Sequence, residues 1–187
     1  QDLAAHVGTL HYTCKAVIED FDGDIHPGDV FVMCDPYLGA GTHSPDWSFF
    51  RPVFFQGNLE FFAMIRTHQV DNGSWQPRAY NPMVYDIHSE GLRLRPTKIY
   101  EKDEPVEAIY RLILDNVRQQ DLVHMDHLAM NGALKFAEKR LLELLEKYGE
   151  DNFIVLGVSI SDTEKALLDF SNRERRFGKI SEQVNND

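Results

Sequence analysis

Two aromatic-rich runs of strand length, WSFFRPVFF at residues 47–55 and LEFFAMIR at residues 59–66, are separated only by Gln56-Gly57-Asn58. A gap that short, with glycine at its centre, turns two extended segments into an antiparallel hairpin. The middle of this 187-residue chain is therefore expected to be β-structure, and the remainder has to pack around it.

Before the hairpin, Val7, Leu10, Cys14, Val17, Ile18 and Phe21 recur at helical spacing, so residues 7–21 read as a short amphipathic helix. Asp22-Gly23-Asp24 closes it, Pro27-Gly28-Asp29 sets a tight turn, and DVFVMC at residues 29–34 reads as a strand. Residues 35–45 form a loop rich in Gly, Pro and Thr. A second irregular stretch covers residues 67–85. It is longer than most connections in a compact domain and therefore a candidate for function, and Trp75, Tyr80 and Tyr85 argue that it is ordered.

After Glu90-Gly91-Leu92 the pattern becomes helical. Residues 104–117 read as a helix with Pro105 in its first turn, where a missing amide costs nothing. Residues 120–148 form a longer one, striped by Ala133, Leu134, Ala137 and Leu141 and ended by Gly149. Residues 155–177 hold a further helix, capped by Ser161 or Asp162, and residues 182–187 read as frayed. The first hundred residues carry 15 of the 21 aromatics, 7 of the 8 prolines and 6 of the 8 histidines. The expected fold class is therefore α+β, with a strand-and-loop-rich N-terminal half (1–100) carrying the site. It packs with a helical C-terminal half (101–187) of the same domain. Gln1 opens the chain in mid-pattern with no initiator Met, so the expectation is a fragment of a longer chain and part of a larger subunit.

Thirty acidic side chains against 19 basic ones give a formal charge of −11, and no local basic patch offsets it, so no nucleic-acid partner is expected. No apolar run reaches the roughly 18 residues a membrane span needs, and Gln1-Asp2-Leu3 begins no signal peptide, so no membrane partner is expected either. Cys14 and Cys34 have no CxxC spacing and read as free buried thiols of a cytoplasmic protein.

The residues able to carry chemistry gather where strands meet loops. Thr42-His43-Ser44-Pro45-Asp46 supplies an imidazole and a carboxylate three apart, and His68, followed by Asp71, comes just after the strand expected to end near Arg66. Two histidines and one carboxylate drawn from two loops can build an open metal site that polarises a carbonyl or activates water. From spacing alone they read equally as loop histidines that only make hydrogen bonds. Asp86, His88 and Glu90 alternate and, if extended, point to one side, as a site wall or a solvated strand edge. His124 and His127 are three apart on the long helix without the spacing or the Glu of a zinc-protease motif, and read as a solvated polar face. No phosphate loop, dinucleotide fingerprint or G-x-S-x-G elbow is present, so any nucleotide chemistry belongs to another chain. Trp47, Trp75 and Tyr80 are candidates for lining a pocket, with core packing as the default.

Several segments in order resemble the hydantoinase B family. They are His6-Val7-Gly8-Thr9, residues 27–37 (PGDVFVMCDPY), Gly41-Thr42-His43-Ser44-Pro45-Asp46, Arg66-Thr67-His68-Gln69-Val70-Asp71, residues 90–96 (EGLRLRP) and residues 112–118 (LILDNVR). The similarity extends to Arg140-Leu141-Leu142-Glu143-Leu144. The family also contains the matching parts of 5-oxoprolinase and of acetone and acetophenone carboxylases. The chain departs from it at Cys34, in the extra residue of Gly39-Ala40-Gly41, at Gln69 where many members have a second His, and at Met130. The resemblance implies a divalent metal (Mn or Zn) held by His43, Asp46 and His68; Asp71 and Glu90 are added here as candidate supporting or acid/base residues. It implies a hetero-oligomer with a hydantoinase A-like subunit that uses ATP to activate a small cyclic amide or ketone. The implied reaction is hydrolysis of a cyclic amide after phosphate activation, with ketone carboxylation as the alternative and a structural or assembly role as a third reading.

Overall fold

A computed structural model describes residues 4–39, 43–76 and 82–149. Helix α1 (Ala4–Asp20) leads into strand β1 (Val30–Met33), a 3-10 turn (Pro36–Leu38) and the long strands β2 (Asp46–Phe55) and β3 (Asn58–His68). A second 3-10 turn (Ile87–Glu90) precedes β4 (Thr97–Glu101), β5 (Glu104–Pro105), α2 (Glu107–Asp115) and α3 (Gln120–Tyr148). The strands form one sheet in the order β3-β2-β1-β4-β5, antiparallel throughout, which makes the fold α+β.

Strand alternation divides the core between the two faces of the sheet. Val30, Val32, Trp47, Phe49, Val53 and Ile99 pack on one face with Tyr110 and Ile113 of α2 and Val123 and Leu134 of α3. Phe31, Met33 and Phe50 pack on the other with Ala16 and Val17 of α1. Each of these buried apolar side chains stabilises the fold by roughly 1.5–3 kcal/mol relative to exposure. Arg51, on the α3 face, is 4% exposed. It pairs with Glu138 of α3 at 2.5 Å and with Asp103 of the β4–β5 turn at 2.9 Å, which offsets the cost of burying its charge. Residues 1–143 form one compact unit; of the second, residues 144–187, only the last turn of α3 and Gly149 are described.

The hairpin is tighter than expected. Phe55 pairs directly with Asn58, leaving Gln56 and Gly57 as a two-residue turn with φ of 50° and 90°. Positive φ at both positions is the turn geometry that matches strand twist. Both strands also run further than expected at the opposite end, to Asp46 and His68.

Four expectations are corrected. Residues 104–105 are strand, and α2 starts at Glu107, because Lys102 and Asp103 take positive φ (50° and 70°) and turn the chain back along β4. TKIYE at residues 97–101 is strand β4, not part of a helical stretch. Residues 86–90 are not extended: Asp86 caps a 3-10 turn by accepting the Ser89 amide at 3.0 Å, so Asp86, His88 and Glu90 do not line one side of a strand. His127 is not on a solvated helix face: it is 1% exposed, with its ring 5.0 Å from that of Phe49 and 5.6 Å from that of Trp47. The helix expected over residues 155–177 and the frayed end lie outside the described residues. Cys14 and Cys34 are both free thiols. Among the described residues no helix is long and apolar enough to cross a membrane.

Candidate metal centre

The ladder between β2 and β3 sets Asp46 directly opposite His68. Residues facing one another across an antiparallel pair have Cβ atoms about 4.5–5.5 Å apart, so a carboxylate and an imidazole separated by 22 positions in sequence become neighbours. His43 joins them through a turn: the Asp46 amide donates to the His43 carbonyl at 3.1 Å, folding the loop back over the strand end. The Gln69 amide donates to the Pro45 carbonyl at 2.9 Å and prolongs the ladder beneath the turn.

As a result, one nitrogen from each imidazole and one Asp46 oxygen all lie within 4.8 Å of one another. His43 Nε2 is 3.2 Å from Asp46 Oδ1, and the two imidazole ring centres are 5.2 Å apart. Asp46 is buried, His43 half-buried and His68 exposed, so the cluster opens to one side. Ligands about 2.1 Å from a shared ion stand at most about 4.2 Å apart, so closing the widest gap takes roughly half an ångström of side-chain movement. Two imidazole nitrogens and one carboxylate fit a divalent transition ion and leave coordination positions open.

The surrounding groups hold this geometry. Ser44, fully buried, donates to Glu90 Oε2 at 3.0 Å, which ties the His43 turn to the Ile87–Glu90 turn. Asn72 Nδ2 donates to the Glu90 carbonyl at 2.7 Å, and the Leu92 amide donates to the Asn72 carbonyl at 2.8 Å. Gly91 lies between these bonds with φ of 106°, and a Cβ there would sit 2.4 Å from the Asn72 oxygen.

Asp71 faces away from this cluster in its bonding. Its buried carboxylate accepts the amides of Gly73 (3.0 Å), Gln119 (3.1 Å) and Arg118, so it anchors the loop after β3 to the start of α3. The Arg118 guanidinium secures the same loop through the carbonyls of Ser74 (2.8 Å) and Trp75 (3.1 Å).

Sequence reasoning missed Arg66. It lies two residues before His68, on the α1 face that also carries Asp46 and Ser48. Arg66 Nε donates to Ser48 Oγ at 2.8 Å, and Nη2 donates to Thr13 Oγ1 and the Gly39 carbonyl, both at 3.0 Å. Burial draws its pKa below the ordinary value, opposed by the charge of Asp46. The spacing Arg66-x-His68 was its only sequence signal, because alternation puts both side chains on one face. Of the aromatics considered for a pocket, Trp47 is core, Trp75 is 64% exposed and Tyr80 lies outside the described residues.

The family model described as hydantoinase B/oxoprolinase matches residues 1–169. The beta subunit of caprolactamase from Pseudomonas jessenii is 36% identical over 151 residues, covering 81% of this chain and 26% of that protein. The acetophenone carboxylase delta subunit of Aromatoleum aromaticum is 25% identical over 138 residues, covering 73% of this chain and 20% of that subunit. The crystal structure of the ATP-dependent caprolactamase from Pseudomonas jessenii superposes with a TM-score of 0.75, covering 81% of this chain and 26% of that one. The chain thus spans about a quarter of the length of these relatives.

Proposed function

The chain belongs to the hydantoinase B/oxoprolinase family, and from that premise we propose that it forms the metal-holding segment of an ATP-dependent cyclic amide hydrolase. The observation that carries this reading is the convergence of His43, Asp46 and His68 within 4.8 Å at an open strand end. A divalent ion held there supplies Lewis-acid stabilisation of the negative charge that develops on a carbonyl oxygen.

The chain's own residues do the positioning. Asp46, enclosed at the end of β2, supplies the site's negative charge, while His68 leaves the open side free for a small substrate. Glu90 reaches the site through Ser44 and is the candidate acid/base group of the loop cluster. Asp71 acts as a supporting residue through the loop it anchors to α3. Activation of the substrate with ATP is assigned to a partner subunit of the hydantoinase A type, which makes the working enzyme a hetero-oligomer.

Hydrolysis is favoured over ketone carboxylation because identity to the caprolactamase subunit, 36%, exceeds the 25% to the acetophenone carboxylase subunit. The test uses the full-length subunit with its ATP-using partner: elemental analysis, then ATP turnover on cyclic amides and on ketones. His68→Ala should lose metal and turnover together, and full metal occupancy in that variant would remove the assignment. Turnover on ketones with bicarbonate but not on cyclic amides would establish the carboxylase reading. Stoichiometric metal with no substrate-stimulated ATP use would mean a structural role.

A further inference from the structure

The Arg66 side chain touches both parts of the chain from which the His43, Asp46 and His68 cluster is built. On the strand side, Ser48 is its direct partner across the ladder, so the pair stands two residues inward from Asp46 and His68 on the same face. Arg66 Nε donates to Ser48 Oγ at 2.8 Å. On the loop side, Arg66 Nη2 donates to the Gly39 carbonyl at 3.0 Å, and Gly39 stands four residues before His43. The same carbonyl accepts the Thr13 hydroxyl of α1 at 2.6 Å, and Thr13 Oγ1 accepts from Arg66 Nη2 at 3.0 Å.

Gly39 is held by its backbone as well. It caps the first 3-10 turn with φ of 83°, its amide donates to the Pro36 carbonyl at 3.2 Å, and a Cβ there would sit 2.8 Å from Tyr12 Cβ. Backbone this close to α1, with two donors converging on one oxygen, is a fixed point from which the chain leaves toward His43. The other end of that segment is fixed by the Asp46 amide, which donates to the His43 carbonyl. Four residues span at most about 14 Å, so fixing both ends restricts where the His43 imidazole can stand.

The guanidinium has two opposed effects on a cation at the cluster. Its charge, which interacts with that of Asp46, repels a divalent ion. Its bonds hold a ligand ready and lower the entropy cost of ordering it. The three acceptors, Ser48, Thr13 and Gly39, are neutral and lie on three different segments, which is the arrangement of an anchor rather than of a counter-charge. Lysine would keep the charge but not the planar fork that reaches all three.

We propose that Arg66 is a positioning residue: it fixes the segment between Gly39 and Asp46 so that His43 stands beside Asp46 and His68 before a metal ion arrives. This rests on the proposed metal centre, and the test separates the two.

The metal-free protein is titrated calorimetrically with Mn²⁺ and with Zn²⁺, as wild type, Arg66→Met, Arg66→Lys, His43→Ala and the variant carrying both Arg66→Met and His43→Ala. Arg66→Met should bind the ion about 10-fold more weakly, and Arg66→Lys should lose nearly as much despite its charge. The double variant should bind like His43→Ala alone, because an anchor for His43 then has nothing left to position. A general loosening of the fold would lower affinity in both backgrounds, and such additive losses would overturn the proposal. Tighter binding by Arg66→Met with wild-type binding by Arg66→Lys, the signature of a charge effect, would overturn it too. If Arg66→Met does not fold, Thr13→Val takes its place in the same cycle: it removes one donor to the Gly39 carbonyl, keeps the Arg66 charge and should weaken binding in the same direction. Wild-type protein that binds neither ion removes the metal reading and this inference with it. Metal binding that none of the Arg66 and Thr13 variants changes removes this inference alone.

Discussion

Asp46 and His68 face each other as the last cross-strand pair of the β2–β3 ladder. Every other feature of the candidate centre is arranged around that pair: His43 is folded onto it by a turn, Ser44 links it to Glu90, and Arg66 flanks it on the same face.

The pair sets the outcome of Asp46→Asn. The substitution keeps the shape of the side chain and removes the charge that a divalent ion needs. Metal affinity is expected to fall by at least about 100-fold, as outer-shell losses alone cost 10–100-fold. Elemental analysis after dialysis checks this, and circular dichroism should show the fold intact.

Asp71→Asn separates anchoring from chemistry. The buried carboxylate accepts three backbone amides, two of them just before α3. An amide accepts at one oxygen only, so a loss of about 1.5–3 kcal/mol is expected in denaturant unfolding. If Asp71 moves protons instead, turnover should collapse while the unfolding midpoint stays in place.

Gly91→Ala should disturb the Glu90 loop more than its size suggests. The new Cβ would meet the Asn72 carbonyl oxygen at 2.4 Å at a φ of 106°, a backbone conformation that favours glycine. Loss of about 2 kcal/mol or more is expected. The thermal melting temperature should drop, and Gly57→Ala, where a Cβ meets nothing within 4 Å, should cost less.

His127 makes stability depend on pH. Burial, aided by nearby His124, lowers its pKa from 6.5 to about 4. Above pH 6.5 the ring is neutral in both folded and unfolded chains and adds no pH dependence. Between 6.5 and 4 only the unfolded chain takes up the proton, so stability falls as pH falls, by up to about 3 kcal/mol. Urea unfolding at pH 7 and pH 4.5 should show this slope, and His127→Phe should reduce it.

Much of the fold was legible because the relevant signals are local. Alternating apolar residues around Gln56-Gly57 dictate a hairpin, and the spacing of residues 120–148 dictates a long helix, whatever surrounds them. The Glu107 helix start was not legible, since Pro105 suits a helix's first turn and also a short strand, and only pairing with β4 decides between them. His127 misled for a related reason: its neighbours Met125, Asp126 and Leu128 are all exposed, and burial comes from the sheet face that α3 covers.

By itself the sequence determined which segments are extended, which are helical and which residue types stand at the strand ends, because those depend on side chains a few positions apart. Only the tertiary structure decided that Asp46 opposes His68, that Glu90 reaches Ser44, and that Trp47 and His127 share a buried face. Those relationships depend on register and on which sheet face a helix covers, and a one-residue slip in either would send each side chain to the opposite side.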